Sequence, residues 1–187
     1  IHFTRLENLD NILKNGIVPR ANLVDENYVY NDDYRYDKKL DYSCFTLSFP
    51  NNKMFYKLRK ENENNHWAIL VFSPDVLLNY DCLFYPCNAA DGNVSAQEIE
   101  LFQGADALEN MFYSENRDLY LKDRHPTDVQ AEVLVKGNIL PKYIRMIVLD
   151  CELLIQTYEK KYPNYTFRYC KKNTKLFNTR KAFLYGH

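Results

Sequence analysis

The sequence lacks several features that would point directly to a function. Its 187 residues include only 5 glycines, and no glycine-rich loop of the kind that cradles phosphate groups is present. The net charge is -1, so bulk charge does not indicate a nucleic-acid partner, although a local basic face is still compatible with one. No apolar run approaches the roughly 20 residues that span a membrane, so we expect no membrane association.

Paired cysteines are also missing. The cysteines are odd in number and scattered, without a CxxC pair or a histidine at metal-ligand spacing: Cys44, Cys82, Cys87, Cys151 and Cys170. This pattern is typical of reduced thiols rather than of disulfides or a metal centre. We therefore predict a cytoplasmic protein without a bound metal.

Apolar and aromatic residues are abundant instead. They include 16 tyrosines and 11 phenylalanines, and the apolar fraction of 46% is typical of a globular protein. The length, without repeats or a low-complexity linker, favours a single domain over residues 1–187. Helical and strand patterns are intermixed and strands cluster late, which predicts an α+β fold with a mixed sheet.

The N-terminal residues have the clearest local pattern. Residues 1–3 predict the end of a strand, and Thr4 and Glu7 fit a capping box that would begin a helix of about three turns. Gly16 stands where such a helix would end. His2 would lie at the strand-to-helix junction, where a histidine on its own is more often structural than functional.

Within the stretch TDVQAEVLV, residues 127–135, a strand with two unlike faces is predicted over residues 129–135. Apolar residues at 129, 131, 133 and 135 line one face, whereas Gln130 and Glu132 lie side by side on the other. A buried, unpaired carboxylate costs several kcal/mol, so the polar face is expected to border a cleft. An ordinary exposed sheet face is the alternative, and it is the more frequent one for a lone glutamate.

Two long stretches, residues 22–43 and 88–128, have little periodicity and are predicted to contain functional loops. Between them, the segment NNKMFYKLRKENEN predicts a helix that carries Lys53, Lys57 and Arg59. A basic helix of this kind is more often a solvated face than a binding site.

Three motifs, taken in order, resemble the DarT family of bacterial toxins. These motifs are HFT running into LxNLDNILKNGI, then SFPNxKMFYxLR, and finally QAEVLV, and together they span roughly residues 1–150. DarT toxins are ADP-ribosyltransferases that modify DNA bases and pair with the antitoxin DarG. The resemblance implies an ADP-ribosyltransferase-like split mixed β-sheet with flanking helices. It also implies NAD as co-substrate in the cleft, single-stranded DNA as substrate and a DarG-type antitoxin as partner; we expect a monomer.

The resemblance also implies roles for individual residues. Glu132 is similar to the catalytic glutamate of the family, and His2, assisted by Thr4, is similar to the residues of the first motif that bind NAD. Further candidates for binding NAD are Asn51, Phe49 and Tyr56, and candidates for binding the nucleic acid are Gln130, Lys57 and Arg124.

One departure concerns the middle motif. In relatives that modify thymidine, a Pro-Arg pair supplies a catalytic arginine, whereas Pro50 is followed here by Asn51. Lys53 or Arg59 would then supply the cation. The motif is more similar to that of the guanine-modifying branch, so guanine is the predicted base.

The chemistry of the residues agrees with this resemblance. Cleavage of the bond between ribose and nicotinamide passes through an oxocarbenium-like centre, which a carboxylate such as Glu132 stabilises. The same carboxylate could accept a proton from the attacking base. Two alternatives stay open: an ADP-ribosyltransferase acting on RNA or protein, and a non-catalytic single-strand-binding module built on the basic and aromatic segments 53–60 and 167–185.

Overall fold

The computed structural model describes residues 1–23, 38–61, 63–115 and 117–186, and in it the strands form two sheets. The four-stranded sheet contains, in spatial order, β1 (His2–Arg5), β3 (Trp67–Phe72), β6 (Ile144–Leu149) and β7 (Phe167–Tyr169). The three-stranded sheet contains β2 (Tyr42–Phe45), β5 (Glu132–Lys136) and β4 (Cys82–Tyr85). Neighbouring strands are antiparallel except β6 and β7, which are parallel, so the predicted mixed sheet is confirmed. Most of the predicted loop at 22–43 lies outside the described residues.

Helices flank the two sheets. They are α1 (Leu9–Asn15), α2 (Asn52–Glu61), α3 (Val76–Asn79), α4 (Gly92–Ser95), α5 (Gly104–Asn110), α6 (Ile155–Lys161) and α7 (Arg180–Tyr185). Helix α2 lies where the sequence pattern predicts it. The predicted α+β class with flanking helices is therefore confirmed.

The predicted capping box of Thr4 and Glu7 is wrong. Thr4 belongs to β1, and its hydroxyl accepts a 3.0 Å hydrogen bond from the side-chain amide of Asn8. A 3-10 turn follows β1, so that α1 begins only at Leu9, and it ends before Gly16 as predicted. Pairing of β1 with β3 extends the strand through Thr4, and this long-range pairing overrides the local capping signal.

The two faces of β5 pack against different parts of the molecule. Val133 and Val135, both fully buried, join a core cluster that includes Leu70 and Ile147 of the four-stranded sheet. Leu134 points the other way and packs in a second cluster beneath residues 85–102. The predicted alternation of faces is therefore confirmed.

The predicted start of this strand is wrong, because β5 begins at Glu132 rather than at residue 129. Residues before it form a turn in which the Asp128 carboxylate accepts a 2.8 Å hydrogen bond from the N–H of Gln130. Such a side-chain-to-backbone bond competes with strand pairing. Gln130 consequently lies in the turn and does not share a strand face with Glu132.

Candidate active site

Glu132 lies at the end of the three-stranded sheet, at the first position of β5. It pairs with Tyr85 of β4, and its side chain is almost buried, with 7% exposed. Its Oε2 accepts a 3.0 Å hydrogen bond from the backbone N–H of Ala89, which follows β4. Two further carboxylates lie near the same place, and their effect is seen on Cys87. Burial raises the pKa of the Cys87 thiol, and the negative charges of Asp91, Asp128 and Glu132 raise it further. The environment therefore concentrates negative charge at the strand end and keeps Cys87 protonated.

His2 links the two sheets. It belongs to β1 of the four-stranded sheet, yet its Nδ1 lies 2.8 Å from the carbonyl oxygen of Cys44 in β2. Because a carbonyl only accepts, Nδ1 carries the proton and donates it. Burial lowers the pKa of His2 to about 4, so the ring is neutral at neutral pH and Nε2 is a hydrogen-bond acceptor. The structure thus turns His2 into a fixed acceptor near the ends of β1 and β2.

The middle motif meets the turn before β5. Lys53, exposed in the first turn of α2, donates a 2.9 Å hydrogen bond to Oε1 of Gln130. Asn51 caps the same helix, since its Oδ1 accepts a 3.2 Å hydrogen bond from the N–H of Met54. The fold therefore brings the second and third sequence motifs together at Lys53 and Gln130, two residues before Glu132.

Two buried polar atoms near these residues have no partner within the described part of the chain. They are Nδ2 of Asn51, a residue only 1% exposed, and Oγ1 of Thr46. Thr46 follows the last residue of β2, and Phe45 pairs with Val133, so the register places Thr46 at the level of Glu132. Buried polar atoms are normally hydrogen-bonded, so unpaired ones at a strand end are candidates for ligand contacts.

Arg59, predicted as a possible catalytic cation, makes contacts that hold the C-terminal segment. Its guanidinium donates to Oδ1 of Asn173 at 3.2 Å and to the carbonyl of Phe177 at 2.7 Å, and it lies 4.9 Å from the ring centre of Phe55. These contacts give Arg59 a structural role that does not require catalysis. Its predicted catalytic role stays a prediction, and Lys53 is the better-placed cation.

The other predicted site residues differ in the exposure of their side chains to solvent. Phe49 is buried against Phe183 at 5.2 Å between ring centres, and Thr4 is buried in β1; their predicted contacts with NAD stay predictions. Tyr56, Lys57 and Arg124 are exposed. Their predicted contacts with NAD or DNA are compatible with this exposure and stay predictions.

Sequence reasoning missed His125. This histidine is 1% exposed, its Nδ1 lies 2.7 Å from Oγ of Ser48, and its Nε2 has no partner in the described residues. Burial lowers its pKa, and the surrounding positive charges of Arg124, Arg180, Arg117 and Lys122 lower it further. Ser48 has a φ of 57°, in the left-handed region. No local signal could have revealed this contact, because the two residues are 77 positions apart.

Neither a metal site nor a membrane helix is present in the described ranges. They contain no group of three or more His, Cys, Asp or Glu residues that could hold a metal ion. They also contain no helix long and apolar enough to cross a bilayer.

Comparison with known proteins gives one family match. A family model described as ssDNA thymidine ADP-ribosyltransferase, DarT, matches residues 1–173. No curated protein is similar enough in sequence to count as a match.

Several solved structures share the fold. A Thermosipho africanus DarTG in complex with ADP-ribose aligns with a TM-score of 0.64 at 17% identity, over 94% of this chain but only 50% of that chain. A Thermus sp. 2.9 DarT in complex with NAD+ aligns with a TM-score of 0.56 at 15% identity, over 91% of this chain and 93% of that one. The same Thermus protein in complex with ADP-ribosylated ssDNA aligns with a TM-score of 0.57, also at 15% identity, over 91% and 92% of the two chains. These likenesses confirm the predicted split-sheet fold.

Proposed function

Because the chain belongs to the DarT family, we propose that it transfers ADP-ribose from NAD+ to a base of single-stranded DNA. The family model covers residues 1–173 of 187, and the Thermus relative has been solved with NAD+ and with ADP-ribosylated ssDNA. The observation that carries the proposal is the arrangement of Glu132. It is an almost buried carboxylate held by the Ala89 N–H at the end of the sheet that His2 ties to the first sheet.

The polar groups around Glu132 fit NAD+ as a substrate. The nicotinamide carboxamide and the ribose hydroxyls offer donors, for which the Nε2 of neutral His2 and the Glu132 carboxylate are acceptors. Carboxamide and phosphate oxygens offer acceptors, for which the unpaired Asn51 Nδ2 and Thr46 hydroxyl are donors. Binding of the substrate would therefore satisfy atoms that the fold leaves without partners.

Glu132 would act on the developing positive charge. When the ribose–nicotinamide bond breaks, its electron pair leaves with nicotinamide and the ribose becomes oxocarbenium-like. A carboxylate in an almost buried site stabilises that charge more strongly than one in water. A base nitrogen then attacks the same carbon, and the proton it releases would pass to Glu132. The Ala89 N–H keeps one carboxylate oxygen fixed during these steps.

Lys53 would supply the cation of the middle motif. Its ammonium group is held at Oε1 of Gln130, close in sequence to Glu132, whereas the Arg59 guanidinium is engaged by Asn173 and Phe177. An ammonium at this place would pair with a phosphate of NAD+.

The identity of the base is the finer part of the proposal. The family description names thymidine, and the guanine preference predicted from the middle motif gains no support from the comparisons. Asn51 is nearly buried and caps α2, which gives a structural reason for the absence of an arginine at this position. We therefore favour thymidine and keep guanine as the alternative outcome.

The decisive experiment is mass spectrometry of short oligonucleotides after incubation with the protein and NAD+. Each oligonucleotide contains a single thymine or a single guanine in an otherwise identical dA/dC background, and an RNA of matched sequence is included. A gain of one ADP-ribose on the thymine oligonucleotide alone supports the full proposal, and a gain on guanine alone changes the base. Modification of RNA alone would favour the RNA alternative. Binding of DNA without any mass gain, in the presence of NAD+, would favour a non-catalytic module.

We further propose a DarG-type antitoxin as partner. The Thermosipho protein is a DarTG, and this chain spans half the length of that solved chain. The chain should therefore be toxic when expressed alone in bacteria, and co-expression with a DarG-type protein should restore growth. Equal growth with and without induction of the chain would contradict the proposal.

A further inference from the structure

Helix α7 lies beyond the residues that the family model matches, yet it contacts both sides of the candidate site. The guanidinium of Arg180, its first residue, donates to the carbonyl of Pro126 at 2.6 Å and to that of Thr127 at 2.8 Å. The backbone N–H of the same residue donates to Oδ1 of Asn52, the first residue of α2, at 3.1 Å. One residue therefore joins the start of α2 to the segment that leads into β5.

The rest of α7 extends this contact. The Phe183 ring packs against Phe49 of the middle motif, and the Tyr185 hydroxyl donates a 2.9 Å hydrogen bond to Oδ2 of Asp118. Arg117 supports the same segment from within, since it donates to the carbonyl of His125 at 2.8 Å and to the Thr127 hydroxyl at 2.9 Å. The segment 117–127 is thus held by two arginines, and one of them comes from α7.

The placement of these contacts gives them a consequence for the site. Thr127 precedes Gln130 by three residues, and Gln130 meets Lys53, which is the neighbour of Asn52 on α2. Arg180 therefore contacts both the start of α2, through its backbone, and the segment before β5, through its guanidinium. Hydrogen bonds from a charged guanidinium are roughly twice as strong as those between neutral groups, so the segment before β5 is held firmly.

We propose that Arg180 is a positioning residue, which fixes the turn before β5 so that the contact of Gln130 with Lys53, two residues before Glu132, keeps the geometry needed for transfer. This inference rests on the proposed function, because its kinetic consequence is measured on the transfer reaction. Loss of positioning by about 1 Å can lower rates by up to about a hundredfold, and we expect a fall on the order of tenfold here, where Arg117 still supports the segment.

The test compares Arg180→Ala and Arg180→Lys with Lys181→Ala, a matched control that removes one positive charge from an exposed position of the same helix. Hydrogen exchange of the segment 117–131 should become faster in Arg180→Ala, stay unchanged in Lys181→Ala, and be intermediate in Arg180→Lys, since a lysine can serve only one of the two carbonyls. Exchange in β3 and β6 should not change in any variant. Unchanged exchange of the segment in Arg180→Ala would overturn the proposal.

The kinetic arm separates positioning from stability. Single-turnover transfer is measured well below the melting temperature for Arg180→Ala, Gln130→Ala and the double variant. If Arg180 acts through Gln130, the double variant should be no slower than the worse single variant. Multiplicative losses would reduce Arg180 to a structural role and overturn the proposal. If the wild type transfers nothing to DNA, the proposed function fails, while hydrogen exchange still decides whether Arg180 holds the segment.

Discussion

Replacement of Glu132 by glutamine and by alanine separates its proposed catalytic role from its structural one. The fully buried Ala89 donates its N–H to the Glu132 carboxylate, and glutamine keeps an oxygen of similar reach that can accept it. Alanine leaves this N–H without that acceptor, which costs about 1–3 kcal/mol. In a chain of this length each kcal/mol lowers the melting temperature by about 2–4 °C. We therefore expect Glu132→Ala to melt roughly 2–12 °C below the wild type and Glu132→Gln to melt close to it.

Both substitutions remove the negative charge that, under the proposed function, faces the reacting ribose. A carboxylate that stabilises a developing charge or accepts a proton contributes about 10²- to 10⁴-fold to the rate, so both variants should lose about this much in single-turnover transfer. Glu109→Gln, on the exposed side of α5, is the control for the loss of one carboxylate. A wild-type rate for Glu132→Gln would refute the assignment of the active site. An unchanged melting temperature for Glu132→Ala would show that the Ala89 contact contributes nothing to stability.

Three further predictions address the other candidate residues. His2→Ala should weaken NAD+ binding by a few-fold to about tenfold in a calorimetric titration, the equivalent of one lost hydrogen bond, and unchanged affinity would leave His2 with a structural role only. Because the pKa of His2 is lowered from 6.5 to about 4, Nε2 should stay an acceptor from pH 8 down to about 5, so that affinity declines only as the pH approaches 4; a midpoint near 6.5 would contradict this. Lys57→Ala should reduce by about 0.7 the magnitude of the slope of the logarithm of the DNA-binding constant against the logarithm of the salt concentration. Lys53→Ala should instead slow transfer and leave this slope unchanged. If both variants behave like the wild type, this face of α2 is only solvated.

Patterns that depend on neighbouring residues could be read from the sequence. The apolar alternation at 133–135 predicts the two faces of β5, and the end of α1 at Gly16 follows from the glycine itself. The start of that helix could not be read in the same way. Thr4 and Glu7 carry a valid local capping signal, but β1 pairs with β3 some 65 residues later and draws Thr4 into the sheet. Local signals are therefore reliable only where no distant strand competes for the same backbone.

The candidate site shows the same division. Glu132 and His2 stand in motifs whose spacing is local, and the structure places both at strand ends. The contact of Lys53 with Gln130 and that of Ser48 with His125 each join residues 77 positions apart, and nothing in the sequence links them. Position on a helix alone does not distinguish the two predicted cations, since Arg59 lies on the same helix as Lys53 and yet contacts the C-terminal segment.

Glu132 lies at the end of β5 rather than in its middle, so that the sheet fixes its backbone while its side chain contacts the loop after β4. Hydrogen bonds to β2 and β4 on both sides fix the backbone of β5, and the buried valines that follow Glu132 anchor it to the core. A carboxylate in the middle of the same face would be enclosed by the cluster around Leu134 and would carry the full cost of desolvation. One step earlier in the chain, the N–H of Ala131 donates to the carbonyl of Asp128 within the preceding turn and not to a neighbouring strand. The first residue of the strand is therefore a position at which a carboxylate is held by the sheet and also contacts the loop that follows β4.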